Sequence, residues 1–292
     1  MRNLIRILLV AMLALSAGAG YAQTTLFEYP VAPDTCTTHE SRCNYLVQHF
    51  WDKCELTKPI DAANDSLLVE AMVAYLEIMR AGANINVSLA SIRNLMFKAQ
   101  SQQNNFMKLT SAAELLLYMR PTYIVDDVYL AFAGCAADAS WAKKEFREHY
   151  RDQVKRISNT KLGSTITDFD VTLTDGTKTK FRNLLGPESN FLLITFNDTD
   201  GSFERTRLYT DIRVKQAVDE GKLKIINIMA GDTPKKWDDK SLEYASQWTV
   251  GASKEMMEQL DIRQLPGVII LDGSGTVQLK NLTIDYVKSL FE

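Results

Sequence analysis

The chain has 292 residues, of which 46% are hydrophobic and 24% charged, with a net charge of -3. That length suits one large domain or two ordinary ones, and the composition excludes a disordered chain. The charge balance supplies no basic field for nucleic acid, so the scattered Lys and Arg read as solvated surface.

Residues 1–22 read as a targeting segment: Arg2 and Arg6 open it, Leu8 to Ala17 form its apolar run, and Ala22 precedes an expected cut at Gln23. The run is short for a membrane anchor. Leu15-Ser16-Ala17-Gly18 looks like a lipoprotein box, but Ala19 stands where the lipid-bearing cysteine would be. The expectation is an exported protein, periplasmic or otherwise soluble in the cell envelope, not a lipoprotein, with no membrane span after cleavage. Export permits disulfides. The candidates are Cys36, Cys43, Cys54 and Cys135, all in the first half of the chain. Four cysteines allow three complete pairings. Cys36 with Cys43 is the easiest by proximity and would leave Cys54 with Cys135, but spacing alone does not choose.

Gln23 to Pro33 reads as a flexible lead-in, and Thr37 to Glu40 has the form of a capping box. The helix predicted there places Cys43, Leu46, Val47, Phe50, Trp51 and Cys54 on one buried stripe. Further helices are predicted following Asn64-Asp65 to near Gly82, from about Ser88 to Ala99, Phe106 to Met119 (stopped by Pro121), Asp126 to Cys135, and Ser140 to about Ile157. No segment of β period precedes residue 160. The first half therefore reads as an all-helical domain, residues 23–157.

From residue 158 onward the pattern changes. Thr167 to Leu173 and Thr177 to Phe181 flank an Asp175-Gly176 hairpin turn, and Phe191 to Phe196 forms an apolar strand. A helical stretch from Ser202 to about Glu220, broken near Thr210, leads to a strand at Leu223 to Met229. Pro234 to about Ser246 reads as a helix with proline at its start. A short helix at Met256 to Leu260, strands at Val268 to Leu271 and Val277 to Lys280, and a helix from Thr283 to Phe291 complete the chain. Residues 158–292 are thus an α/β domain with a central mixed sheet flanked by helices.

The segment Phe191 to Glu204, with the Asp175-Gly176 hairpin before it and Leu265-Pro266 ahead of a later strand, resembles a thioredoxin-like domain of the thiol-disulfide oxidoreductase and peroxiredoxin branch. Phe196 precedes Gly201 by the interval those families use between the strand-end Phe and the first active-site Cys. The resemblance implies that Pro266 is the cis-proline facing the active-site loop. It also implies that Gly201 and Glu204 occupy the two Cys-x-x-Cys positions, where a helix N-terminus would lower a thiol pKa. Neither residue can exchange a disulfide. Tyr45-Leu46-Val47-Gln48-His49-Phe50-Trp51-Asp52 in the first half is similar to a helical domain of unknown function, numbered 5106, which precedes thioredoxin folds in exported proteins of Bacteroides-like bacteria.

Asp198, Asp200 and Glu204 gather three carboxylates near a helix start. Capping by Asp200 or Ser202 is one reading and a cation or acid/base site the other. Cys36, His39, Cys43 and His49 match no zinc spacing, so neither a metal nor any other cofactor is expected. The leading expectation is a non-catalytic binding or interaction module with a protein or peptide partner in the envelope. Its candidate surface comprises Asp198, Asp200, Ser202, Phe203, Leu265, Pro266 and Gly267. The alternative is a thiol-disulfide oxidoreductase working through Cys135 or Cys54 of the helical half.

Overall fold

The computed structural model describes residues 25–119, 126–195, 199–237, 239–263 and 265–290. The predicted targeting segment, Pro121, Phe196 and Gln264 lie outside that set, as does Asp198. Asp200 and Ser202 are described in backbone only.

Six α-helices precede the first strand among the described residues: α1 His39–His49, α2 Asp65–Gly82, α3 Ile85–Ala99, α4 Gln103–Ala113, α5 Asp126–Ala137 and α6 Lys144–Asn159. The capping box forms one residue later than expected. Thr38 Oγ1 accepts from the Ser41 amide at 3.0 Å, and Ser41 Oγ accepts from the Thr38 amide at 3.0 Å. A serine hydroxyl thus fills the role expected of Glu40. Helix α1 also ends earlier, at His49, so Phe50, Trp51 and Cys54 lie in the turn that follows.

Phe50 and Trp51 are buried beside Tyr75 of α2, with ring centroids 5.2 and 5.6 Å away. The expected flexible lead-in is corrected from residue 25 onward. Phe27 is buried, its ring 5.6 Å from Phe50 and 5.3 Å from Trp51, and Tyr29 lies 4.8 Å from Phe50. Two aromatic side chains anchor what its sequence position suggested would be loose.

Helix α4 passes directly into a π-helical turn, Glu114–Tyr118, where an uninterrupted α-helix was expected. The wider turn keeps Leu116 and Leu117 buried. The Glu114 carboxylate meanwhile accepts from three α6 side chains: His149 Nε2 at 2.7 Å, Tyr150 Oη at 3.0 Å and Gln153 Nε2 at 2.6 Å.

Asn105, fully buried in α4, pins the loop after α1. Its Oδ1 accepts from the Ile60 amide at 2.9 Å, and its Nδ2 donates to the Leu56 and Lys58 carbonyls at 2.9 and 2.7 Å. Asn105→Ala would leave these backbone groups without the partner that satisfies them. The substitution is expected to lower the unfolding free energy by about 3 kcal/mol, at roughly 1–3 kcal/mol for each buried unsatisfied group; urea unfolding measures it.

In the second half a seven-stranded mixed sheet has the order β2-β1-β5-β4-β3-β6-β7. Its strands are β1 Asp170–Leu173, β2 Lys178–Lys180, β3 Ser189–Thr195, β4 Leu223–Ala230, β5 Thr249–Ser253, β6 Gly267–Leu271 and β7 Val277–Lys280. The helices are α7 Thr199–Tyr209, α8 Ile212–Asp219, α9 Asp239–Tyr244, α10 Met256–Gln259 and α11 Ile284–Ser289. Strands β3 and β4 run parallel, and β3 and β6 antiparallel.

Period-two alternation buries both faces of the sheet. Phe191, Leu223, Ile225, Met229 and Val268 meet α7, α8 and α11 on one side. Leu192, Ile194, Ile226, Ile228, Ile269 and Leu271 meet Phe169, Phe181 and α10 on the other. Strand β5 was not foreseen. Its Gly251 lies so close to β1 that a Cβ would come within 2.6 Å of Val171 Cγ1. The helix expected from Pro234 is confined to α9. No helix among the described residues is long and apolar enough to cross a membrane.

Candidate functional site

Register fixes where the two halves of the candidate site lie. Ile194 of β3 pairs with Gly267 of β6, so the end of β3 that feeds α7 sits beside the residue following Pro266. The Leu265–Pro266 peptide is cis. The start of α7 and the proline corner therefore lie toward the same end of the sheet, on adjacent strands.

Gly201 and Glu204 both fall in the first half of α7. The Glu204 carboxylate accepts from Arg207 Nη1 at 3.1 Å through Oε1 and at 2.9 Å through Oε2. The same guanidinium donates from Nη2 to Asp285 of α11. Glu204 and Arg207 thus form an ion pair that reaches from α7 to Asp285 of the C-terminal helix. Phe203, between the two positions, is 63% exposed, and the Arg207 guanidinium carbon lies 5.9 Å from its ring centroid. Leu265 and Pro266 are half-buried, whereas Gly267 is buried. Arg205, one residue beyond Glu204, is fully buried. Sequence reading missed it, because an Arg in a polar helical stretch gives no sign of facing inward.

The four cysteines stand as free thiols, so neither the Cys36–Cys43 nor the Cys54–Cys135 pairing is formed. Cys43 is buried, and Cys54 and Cys135 pack against the helical core. Burial pushes the Cys43 thiol up. Burial, with the Glu55 charge adding to it, raises Cys54 to about 11. Cys135 is likewise raised by burial, which the nearby Arg93 charge only partly offsets. It opens on a cavity of about 510 Å³ lined also by Leu89, Arg93, Leu130 and Gly134. Nucleophilic thiols in redox proteins have lowered pKa values, so none of these three has that environment.

His39 Nε2 lies 2.8 Å from the Ala81 carbonyl and 3.6 Å from Cys43 Sγ, while His49 Nδ1 pairs with Asp52 at 2.8 Å. The two imidazoles therefore serve different partners. Among the described residues no group of three His, Cys, Asp or Glu side chains is placed to hold a metal ion.

Residues 16–160 match the family model described as Domain of unknown function (DUF5106). No curated protein matches the chain. A thioredoxin-like protein from Bacteroides caccae, known from its crystal structure, is similar over 92% of this chain and 99% of its own, with 18% identity and a TM-score of 0.74. The C-terminal domain of an uncharacterized protein from Bacteroides fragilis is similar over 46% of this chain and 98% of its own, with 24% identity and a TM-score of 0.41. For the thioredoxin domain of a thiol-disulfide oxidoreductase from Bacteroides vulgatus the shares are 45% and 98%, with 15% identity and a TM-score of 0.36. At 18% identity the likeness to the Bacteroides caccae protein carries the fold and not the chemistry. The chain has a thioredoxin-like α/β fold preceded by a helical domain that matches the DUF5106 family model.

Proposed function

We propose that this protein is an exported binding module of the cell envelope, in which a thioredoxin fold has exchanged disulfide chemistry for partner recognition. The observation that carries this reading is the occupancy of the second Cys position. Glu204 is committed to Arg207 and, through it, to Asp285, so the position carries a partly exposed ion pair and has no thiol to exchange. Beside it, Phe203 stands exposed at the same end of the sheet as Leu265-Pro266-Gly267. An extended protein or peptide segment laid across that corner would meet an apolar ring from α7 and backbone groups from the start of β6. The cleavable leader read at residues 1–22 supports the envelope location.

The test is partner recovery from envelope extract with wild-type protein and with Phe203→Ala. Loss of an exposed aromatic anchor is expected to weaken capture at least about tenfold, or about 1.4 kcal/mol. The same partners recovered at the same yield would remove this surface from consideration.

The second reading, an oxidoreductase using a cysteine of the helical half, draws on one feature. Cys135 opens on a cavity beside Arg93. Its raised pKa weighs against that reading.

A further inference from the structure

The joint between the two halves contains four buried charges. Asp126 begins α5 in the helical half, whereas Asp261 and Arg263 precede the proline corner and Lys280 ends β7. Their side chains are 9%, 0%, 3% and 1% exposed. Each cation reaches both carboxylates. Arg263 Nη2 lies 2.7 Å from Asp126 and 2.8 Å from Asp261, and Lys280 Nζ lies 2.6 Å from Asp126 and 2.9 Å from Asp261. Two negative and two positive charges balance, so the group is electrically neutral as a unit.

Arg263 makes two further contacts with the helical half. Its Nη1 donates to the Leu117 carbonyl in the π turn at 3.1 Å, and its guanidinium carbon lies 4.8 Å from the Tyr118 ring centroid. The preceding residues are held in the same way by the end of α6. The Asp261 amide donates to Thr160 Oγ1 at 3.1 Å, and Asn159 Nδ2 donates to the Gln259 carbonyl at 2.9 Å. Gln259, Asp261 and Arg263 are thus each tied to the helical half, and the chain reaches Pro266 three residues after the last of them.

Buried ion pairs contribute little net stability, because desolvation offsets most of the attraction, but they specify geometry: a misplaced partner leaves a bare charge in a dry interior. We infer that the helical domain is a clamp on the proline corner, with Asp126 as its positioning residue. The helical half then does more than precede the thioredoxin-like half, since it fixes Gln259, Asp261 and Arg263 just ahead of the proline corner. The clamp stands whether or not the corner binds a partner, because its signature is local order and not affinity.

Amide hydrogen exchange of the whole protein provides the test. Asp126→Asn is expected to speed exchange in the segment 262–267 at least about tenfold, while the β3 and β4 amides keep their wild-type rates. Unchanged exchange in that segment, or acceleration spread equally over β3 and β4, would overturn the clamp. The single substitution leaves one uncompensated positive charge, a cost large enough to threaten folding itself, so the double variant Asp126→Asn with Lys280→Met restores neutrality. The double variant is expected to regain the wild-type unfolding midpoint and still show fast exchange at 262–267, since Arg263 has lost its carboxylate partner in the helical half. Full recovery of slow exchange there would mean that the four residues only balance charge, and the inference would fall. Lys161→Met, which breaks an exposed pair with Asp127 across the same joint, is expected to leave the segment unchanged.

Discussion

A variant carrying cysteine at the two positions that the thioredoxin resemblance equates with Cys-x-x-Cys, Gly201→Cys with Glu204→Cys, is expected to catalyse the reduction of insulin by dithiothreitol, whereas the wild type does not accelerate it. The two residues sit three apart near the start of α7, which follows β3 on the same sheet end as the proline corner. A thiol there would meet the partial positive charge of the helix N-terminus and be drawn toward the thiolate, the opposite of the raised Cys43, Cys54 and Cys135. If a thiolate of pKa near 7 replaces one near 9, the reactive fraction at neutral pH rises by about fiftyfold, and exchange accelerates by somewhat less because nucleophilicity falls with pKa. The substitution also removes the Glu204–Arg207 pair, leaving Arg207 with Asp285. That loss is small for a partly exposed pair. Insulin turbidity measures the gain. An inert double variant would show that the end of β3 and α7 do not form an oxidoreductase site, and the reading of Gly201 and Glu204 as Cys-x-x-Cys positions would fail with it. Wild-type activity that disappears on Cys135→Ser would instead favour the second reading.

Much of the fold could be read in the chain because period and burial agree there. Phe191, Leu192, Ile225, Ile226, Val268 and Ile269 alternate between two apolar faces, and only a sheet covered on both sides accommodates that run. The Asp175-Gly176 hairpin and the break between α7 and α8 carry turn chemistry that local sequence states outright. Strand β5 was hidden because Thr249 to Ser253 is short and includes Gly251, whose lack of a side chain matters only once β1 lies against it. The anchored lead-in was missed for a similar reason. Phe27 and Tyr29 give no periodicity, and their partners at Phe50 and Trp51 become neighbours only in three dimensions. The π turn leaves no local signal either, being held open by Glu114 reaching side chains on α6.

The candidate site divides in the same way. The strand, the helix carrying Gly201 and Glu204, and the cis peptide at Pro266 were legible in the chain. The role of Glu204 in bridging α7 to α11 was not, since Asp285 is far away in sequence. The charge quartet was the least legible feature. Asp126, Asp261, Arg263 and Lys280 look individually like solvated surface charges, and nothing in their spacing says that they meet.

Arg263→Met is expected to cost about 3–5 kcal/mol in unfolding free energy, the range for removing one partner from a buried ionic group. It would leave Asp126 and Asp261 buried with Lys280 as their remaining cation, and it would free the Leu117 carbonyl. The loss should depend on pH in a definite direction. Burial alone would raise the Asp261 carboxyl, but the hydrogen bond from Arg263 and the charges of Lys280 and Arg263 outweigh it and hold that pKa below its ordinary value. A depressed carboxyl contributes stability that is complete above its unfolded pKa, about 3.9, and is lost as pH falls through the folded value. Wild type should therefore exceed the variant by its full margin from about pH 5 upward, and the margin should narrow below about pH 4 as the carboxylates protonate. Urea midpoints at pH 7 and pH 3 measure both quantities. A margin that stayed constant or widened toward acid would mean that Arg263 acts through its aliphatic packing and not through the carboxylates it touches.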